Sequence, residues 1–385
     1  MRHAAWLTTA TLIFGCAQGG PAGDPLVDVG APLPPRPAPD AGPAEAGPCD
    51  PSIAPGEGVA IADTGACPGV VPAAASCAAD ITICSGVRAG MNGLQGDSAS
   101  AATSDGRGSV VLSCHRADVG PPQNNYLFVP KPSGFISKAP LGVDVRPLAD
   151  GFVSSRGSVL LPPPEYDFLA HDGDLRSAQS GGVLYAGPHG AVILRLDGGQ
   201  LVARSFDADG TLRATSTMGA FPASSGNPMT GGSMSTTGAT LIVWQVYGEA
   251  DGKARWLAPD GTLATGTFPI AGWTDSAPFT AALAGGAVAI AAQPPSGVTS
   301  RSWRGLIGAG DTRERPVPTW LASRGDFFLL PGGSAMAFGR EIVGADGTLC
   351  GTVDLGSPLA GIGVDGTAFA ARSERTFRIY PQLFR

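Results

Sequence analysis

Three heptapeptides decide how this chain folds: Phe206-Asp207-Ala208-Asp209-Gly210-Thr211-Leu212, Leu257-Ala258-Pro259-Asp260-Gly261-Thr262-Leu263 and Val343-Gly344-Ala345-Asp346-Gly347-Thr348-Leu349. Two looser copies are Leu169-Ala170-His171-Asp172-Gly173-Asp174-Leu175 and Leu306-Ile307-Gly308-Ala309-Gly310-Asp311-Thr312. Asp-Gly between apolar runs marks a tight hairpin, because glycine takes the positive φ that the turn demands. The turn glycines at 173, 210, 261, 310 and 347 are 37, 51, 49 and 37 residues apart. A mean period of about 43 residues suits a four-stranded antiparallel unit repeated along the chain.

The residues around the turns supply those strands. Between Gly181 and Thr215, the runs Val183-Leu184-Tyr185, Ala191 to Leu196 and Leu201 to Phe206 precede a fourth strand at Leu212. Leu241 to Tyr247 and Ala254 to Leu257 repeat the second and third strands one unit later. Phe279 to Gln293 is a long apolar run, but Gly285-Gly286 splits it into a hairpin rather than a membrane-spanning helix. Four-stranded meanders in series predict an all-β fold, a β-propeller of about seven blades over residues 81–385. A pair of β-sandwiches is the structural alternative.

Closure of such a ring is also legible. The last unit has only three strands, ending at Arg375 to Tyr380, whereas Ile81-Thr82-Ile83-Cys84 is a strand without a unit. An open ring leaves strand edges exposed, so Ile81 to Cys84 is expected beside Phe377 to Tyr380, antiparallel to it. Six cysteines besides Cys16 are disulfide candidates: Cys49, Cys67, Cys77, Cys84, Cys114 and Cys350. If all pair, Cys350 must bond to a cysteine at or before position 114, again joining the start of the chain to its end.

The N-terminus reads as an export signal. Arg2 precedes an apolar stretch from Ala4 to Phe14, too short to span a bilayer. Ile13-Phe14-Gly15-Cys16 resembles the bacterial lipobox, with Phe14 where the pattern usually has a small residue. That resemblance implies a signal peptide over 1–15, lipid attachment at Cys16 and, with Ala17 next, the outer membrane. Residues 17–48 hold nine prolines among Gly, Ala and Asp. They are expected to form a disordered linker. Residues 49–80 read as an irregular extension tied down by its cysteines. Together these features resemble a bacterial surface lipoprotein carrying a β-propeller.

Specific chemistry is scarce. A net charge of −7 without a basic cluster argues against nucleic acid as a partner. Gly361-Ile362-Gly363-Val364-Asp365-Gly366 matches a dinucleotide fingerprint by letters, but too little chain follows to build the fold it needs. The Asp207-x-Asp209 turns lack the later bidentate acid of a calcium loop. His115, His171 and His189 fall near turns or strand ends, and His115 clusters with Arg116 and Asp118. Neither a metal site nor a cofactor site is expected from them. Phe221, Trp273 and Trp320 open consecutive units and are expected between blades. Arg204, Arg255 and Arg304 repeat in phase, which suits a structural role. The expected function is a lipid-anchored exported binding or scaffold protein whose loops meet an unknown protein or surface ligand. The alternative is an exported hydrolase or lyase of the propeller type, with its site at the channel mouth and its catalytic residues unknown.

Overall fold

The computed structural model describes residues 59–73, 78–83, 87–90, 93–116, 124–131, 134–137, 141–142, 144–156, 165–221, 229–246, 248–271, 278–292, 303–322, 324, 327–373 and 376–384. These form seven antiparallel sheets arranged as the blades of a propeller. Blade 1 comprises Gly93–Ser104, Val110–Arg116, Asn124–Lys131 and Gly134–Ser137, with Val87–Gly90 paired to its first strand. Blade 2 follows with Val145–Leu148, Gly151–Arg156, Glu165–Leu169 and Leu175–Ser180. Blade 3 has Val183–Gly187, Gly190–Asp197, Gln200–Phe206 and Leu212–Ala220, and blade 4 has Met229–Met234, Thr240–Gln245, Gly252–Leu257 and Phe268–Ile270. Blade 5 is built from Pro278–Ala282, Val288–Ala292, Trp303–Ile307 and Arg315–Pro316. Blade 6 contains Phe328–Leu329, Ala335–Phe338, Glu341–Gly344 and Leu349–Asp354. Blade 7 contributes Leu359–Ile362, Ala368–Ala371 and Thr376–Tyr380.

The first strands of successive blades neighbour one another and form the inner wall of the ring. Second strands are the most deeply packed: Thr240–Gln245 is buried at every position. That continuous apolar run reflects a strand covered on both faces by neighbouring blades. The fourth strand of blade 2 is the contrast, since Leu175–Ser180 has no fully buried residue. The core is divided accordingly. Seven apolar clusters among the described residues each fill one blade-to-blade interface.

The ring closes where the sequence places it. Ala79–Thr82 is the fourth strand of blade 7 and runs antiparallel to Thr376–Tyr380, with Ile81 opposite Phe377. The strand begins two residues earlier than Ile81 because Ala79 still pairs with Ile379. Ile81 and Ile83 are buried with Phe369, Phe377 and Ile379 against Val110 and Leu112 of blade 1. Ala60–Asp63, within the stretch 49–80, adds a fifth strand to blade 6 beside Leu349–Asp354. Cys350 bonds to Cys67, with Cα atoms 5.1 Å apart at a sequence separation of 283. Cys49, Cys77 and Cys84 lie outside the described residues, and Cys114 is described only as a strand position opposite Ala99.

The repeating turns join third to fourth strands. In each full copy the Asp carboxylate accepts a backbone N–H two residues on: Thr211 at 2.8 Å, Thr262 at 2.9 Å and Thr348 at 2.9 Å. The hydroxyls of Thr262 and Thr348 donate to the same carboxylates. Gly210, Gly261 and Gly347 have φ of +83°, +83° and +90°, while their Asp neighbours do not enter the positive region. The turn is therefore of the longer kind that ends in a left-handed glycine, not the two-residue kind that needs two positive φ values.

Candidate functional site

The same turn recurs between first and second strands, on the same face of the ring but next to the axis. Gly363 N–H donates to the Thr367 carbonyl (2.8 Å) and Gly366 N–H to the Gly363 carbonyl (3.1 Å). The letters of a dinucleotide fingerprint are thus the inner turn of blade 7, followed by the strand Ala368–Ala371. Blades 1, 4, 5 and 6 have inner turns of related form, with positive-φ glycines at 108, 238, 286 and 333.

These inner turns are bonded from blade to blade. Val364 N–H donates to Ser104 O (2.9 Å), Gly106 N–H to Leu148 O (3.3 Å) and Ala149 N–H to Pro188 O (3.0 Å), linking blades 7, 1, 2 and 3. His189 Nε2 lies 3.0 Å from Thr236 O and carries the chain of contacts to blade 4. Across the ring, a Cβ on Gly333 of blade 6 would sit 2.2 Å from the Thr236 methyl carbon, so glycine allows that approach.

Together the inner turns enclose a cavity of ≈ 360 Å³ at the mouth of the central channel. His189, Met234, Thr236, Leu330, Ile362 and Val364 represent blades 3, 4, 6 and 7 in its wall. One cavity touched from four blades must straddle the axis. Its lining is mostly apolar side chains and backbone, with Ser235, Thr236 and His189 as the polar side chains. The one histidine is occupied by the Thr236 carbonyl, and among the described residues no carboxylate lines it.

Charged groups sit around this mouth and are engaged in structure. Arg213 of blade 3 donates to the carbonyls of Pro259 (2.7 Å) and His189 (3.0 Å) and pairs with Asp207. Arg176 holds Asp150 O (2.7 Å) and the Asp150 carboxylate (2.8 Å), which also meets Arg107. Asp365 accepts from Thr367 N–H and from the Ser104 and Thr367 hydroxyls. Asp105 is fully buried at the blade 1 inner turn. Its Oδ1 accepts from Arg107 and Ser109 N–H groups, and its Oδ2 has no partner. Burial pushes its carboxyl up to about 7, against the pull of those two N–H bonds, with Asp365 and Asp150 adding to the rise.

The other expected site residues stay apart. His171 lies in the outer turn of blade 2 with Nδ1 buried and unpartnered, and His189 in the inner turn of blade 3. His115 and Arg116 are described only as strand positions opposite Ser98 and Asp97; Asp118 lies outside the described residues. Among the described residues no three His, Cys, Asp or Glu side chains gather around a common point. The Asp207-x-Asp209 pair is consumed by Arg213 and by its own turn. Arg255 donates to Thr217 O and Met218 O of the preceding blade, and Arg204 reaches Gln179 of blade 2 (3.4 Å), in keeping with a structural role. Arg304 pairs with Glu314 within blade 5. Phe221 and Trp320 pack between blades, while Trp273 is outside the described residues. Neither the mouth nor Asp105 stands out in the sequence. The legible signal would have been a second set of turn glycines, offset from the first by two strands.

No protein-family model matches the sequence. No curated protein matches it either. Among solved structures the chain is similar to the Dos1 propeller, at 8% identity and a TM-score of 0.40, over 77% of this chain and 81% of that one. It is similar to a chain from an analysis of two prolyl endopeptidases, at 12% identity and a TM-score of 0.44, over 71% of this chain and 44% of that one. Hydrazine synthase from Kuenenia stuttgartiensis aligns at 9% identity and a TM-score of 0.41, over 74% and 95% of the two chains. At these values nothing of those proteins' chemistry transfers to this chain.

Proposed function

We propose that the protein is an exported binding module, tethered through a lipid on Cys16 and a Pro-rich linker over 17–48. It would be held at the outer membrane or cell surface and would present its propeller to a protein or surface ligand. Cys16 and the linker lie outside the described residues, and their part in this reading rests on the sequence. The observation that carries the binding half is the channel mouth, apolar and enclosed on several sides, without a described acid–base pair. Concave, largely apolar sites with a few fixed polar groups are where ligands are held.

Two arms test this. Cys16→Ser should move the protein from the membrane fraction to the soluble one; an unchanged distribution would remove the anchor. For the mouth, the apolar dye 8-anilinonaphthalene-1-sulfonate should bind the wild type saturably. Val364→Trp, which fills the cavity, should abolish that binding without lowering thermal stability. A dye signal indifferent to Val364→Trp would remove the mouth as a site. Wild-type turnover of ester, peptide or glycoside reporters, lost in Val364→Trp, would put the hydrolase reading in its place.

A further inference from the structure

The N-terminal stretch meets the ring at two strands with a covalent bond between them. Ala60–Asp63 lies on the outside of blade 6. Cys67 is bonded to Cys350 of the same blade. Ala79–Thr82 then completes blade 7. In chain order, a pull from the N-terminus reaches the blade 6 strand first, the disulfide second and the closing strand last. We propose that the Cys67–Cys350 bond is a mechanical clamp, taking tension applied before residue 59 and keeping it off the strand that closes the ring.

The register sets how each strand would yield. Ala60 is opposite Asp354 and Asp63 opposite Gly351, so tension enters at the Ala60 end and opens the pairs one after another. Three of the four residues are exposed, so peeling them loses little apolar burial. Thr64 resists next, with its hydroxyl donating to Leu349 O (2.8 Å) and Cys350 O (2.7 Å). Three residues later the chain is covalently held, and the load passes into Leu349–Asp354, which is itself paired to Glu341–Gly344.

Without the bond, the same pull would continue to Ala79 and peel Ala79–Thr82 from its Ala79 end. That strand cannot be spared. Ile81 and Ile83 fill the interface of blades 7 and 1, and Asp80 holds both Arg372 and Arg378. Losing them opens the ring at the blade whose fourth strand comes from the N-terminal stretch. The bond stands at the position that Arg176 and Arg213 occupy in blades 2 and 3, directly after the turn leucine. There an arginine ties turns together by hydrogen bonds; blade 6 uses a covalent tie to a distant segment. The clamp goes beyond the anchoring proposed above and does not depend on it, since any N-terminal load follows the same route.

Optical tweezers test the load path. One handle is attached at the N-terminus. The other is attached across the ring through an azide-bearing residue replacing Asp197, which adds no thiol. In the oxidised wild type, the first step should release residues 59–66, about 30 Å of chain at ~3.5 Å per residue. In Cys67→Ser/Cys350→Ser it should release residues 59–83, about 85 Å, and the ring should open at lower force. Should that double variant not fold, adding dithiothreitol to a held wild-type molecule should lengthen its first step in the same way. Equal first steps with and without the bond would overturn the clamp. So would an oxidised first step long enough to contain Ala79–Thr82.

Discussion

At Asp105 the chain buries a carboxyl group whose second oxygen meets no donor. Ser109 Oγ beside it is also buried and unpartnered. The groups around it are Asp365 of blade 7 and Asp150 of blade 2, both acidic, while the Arg107 side chain is turned to Asp150. Among the described residues nothing cationic compensates a charge there, and burial raises the carboxyl from 3.8 to about 7. A carboxyl raised on folding binds its proton more tightly in the folded state. Its contribution to stability is therefore fully present below about pH 4, is lost as pH rises towards about 7 and changes no further beyond. The full span is on the order of 4 kcal/mol. Asp209, Asp260 and Asp346 act in the opposite sense: turn hydrogen bonds from Thr211, Thr262 and Thr348 lower them. Their contribution is complete above about pH 5 and is lost only in stronger acid. Asp105→Asn keeps the acceptor for Arg107 and Ser109 N–H but cannot ionise. Urea unfolding should show the wild type losing stability between pH 5 and 7.5 while Asp105→Asn holds steady, so that the variant is the more stable at pH 8. Parallel pH profiles for the two proteins would count against this account.

Each repeating turn answers two demands, and only one was readable. The sequence shows that Gly210, Gly261 and Gly347 must take positive φ. It does not show that the same glycines touch the neighbouring blade. A Cβ on Gly261 would lie 2.4 Å from Ser205 Cβ of blade 3, one on Gly210 would lie 2.7 Å from Phe168 Cγ of blade 2, and one on Gly347 would lie 2.4 Å from Trp320 Cδ1. In the looser copy at Gly310, φ is +75° but nothing lies within 4 Å. Gly310→Ala should therefore cost about 1 kcal/mol, the left-handed strain alone. Gly261→Ala should cost about 3 kcal/mol, because overpacking is added to the strain. Denaturant midpoints measure both, and equal losses would show that the interblade contact is unimportant. Local order was legible for a related reason: turn chemistry and strand composition lie within a few residues, as in the Gly285-Gly286 hairpin. The mouth cavity was not, because His189, Thr236, Leu330 and Val364 are far apart in sequence and carry no shared motif. Cys67 was not singled out either. It sits in a Gly- and Pro-rich stretch without strand period, and only the fold brings it to Cys350.

Closure makes seven weakly self-sufficient blades into one cooperative body. No blade can bury its own faces, since among the described residues every apolar cluster is shared by two blades. The ring is therefore only as stable as its junction between blades 7 and 1. Ala79–Thr82 secures that junction, and Ala60–Asp63 with Cys67 ties the N-terminal stretch to blade 6, so truncation can remove the two pieces in turn. Deleting residues 1–48 takes away nothing described in the ring and should leave unfolding unchanged. Deleting 1–68 removes Ala60–Asp63 and Cys67, and with them the cross-link, which the chain-entropy model values at about 5 kcal/mol, with measured values often lower. The ring should still form, at reduced stability. Deleting 1–83 also removes Ile81 and Ile83, each worth about 2–3 kcal/mol of burial. It bares the edge of Thr376–Tyr380 and strips Asp80 from Arg372 and Arg378. That protein should lose its cooperative transition and associate through the open edge, since an exposed unpaired strand is a template for pairing between chains. Calorimetry and light scattering follow both effects. If the 1–83 deletion melts like the 1–68 deletion and stays monomeric, Ala79–Thr82 is not what holds the ring shut.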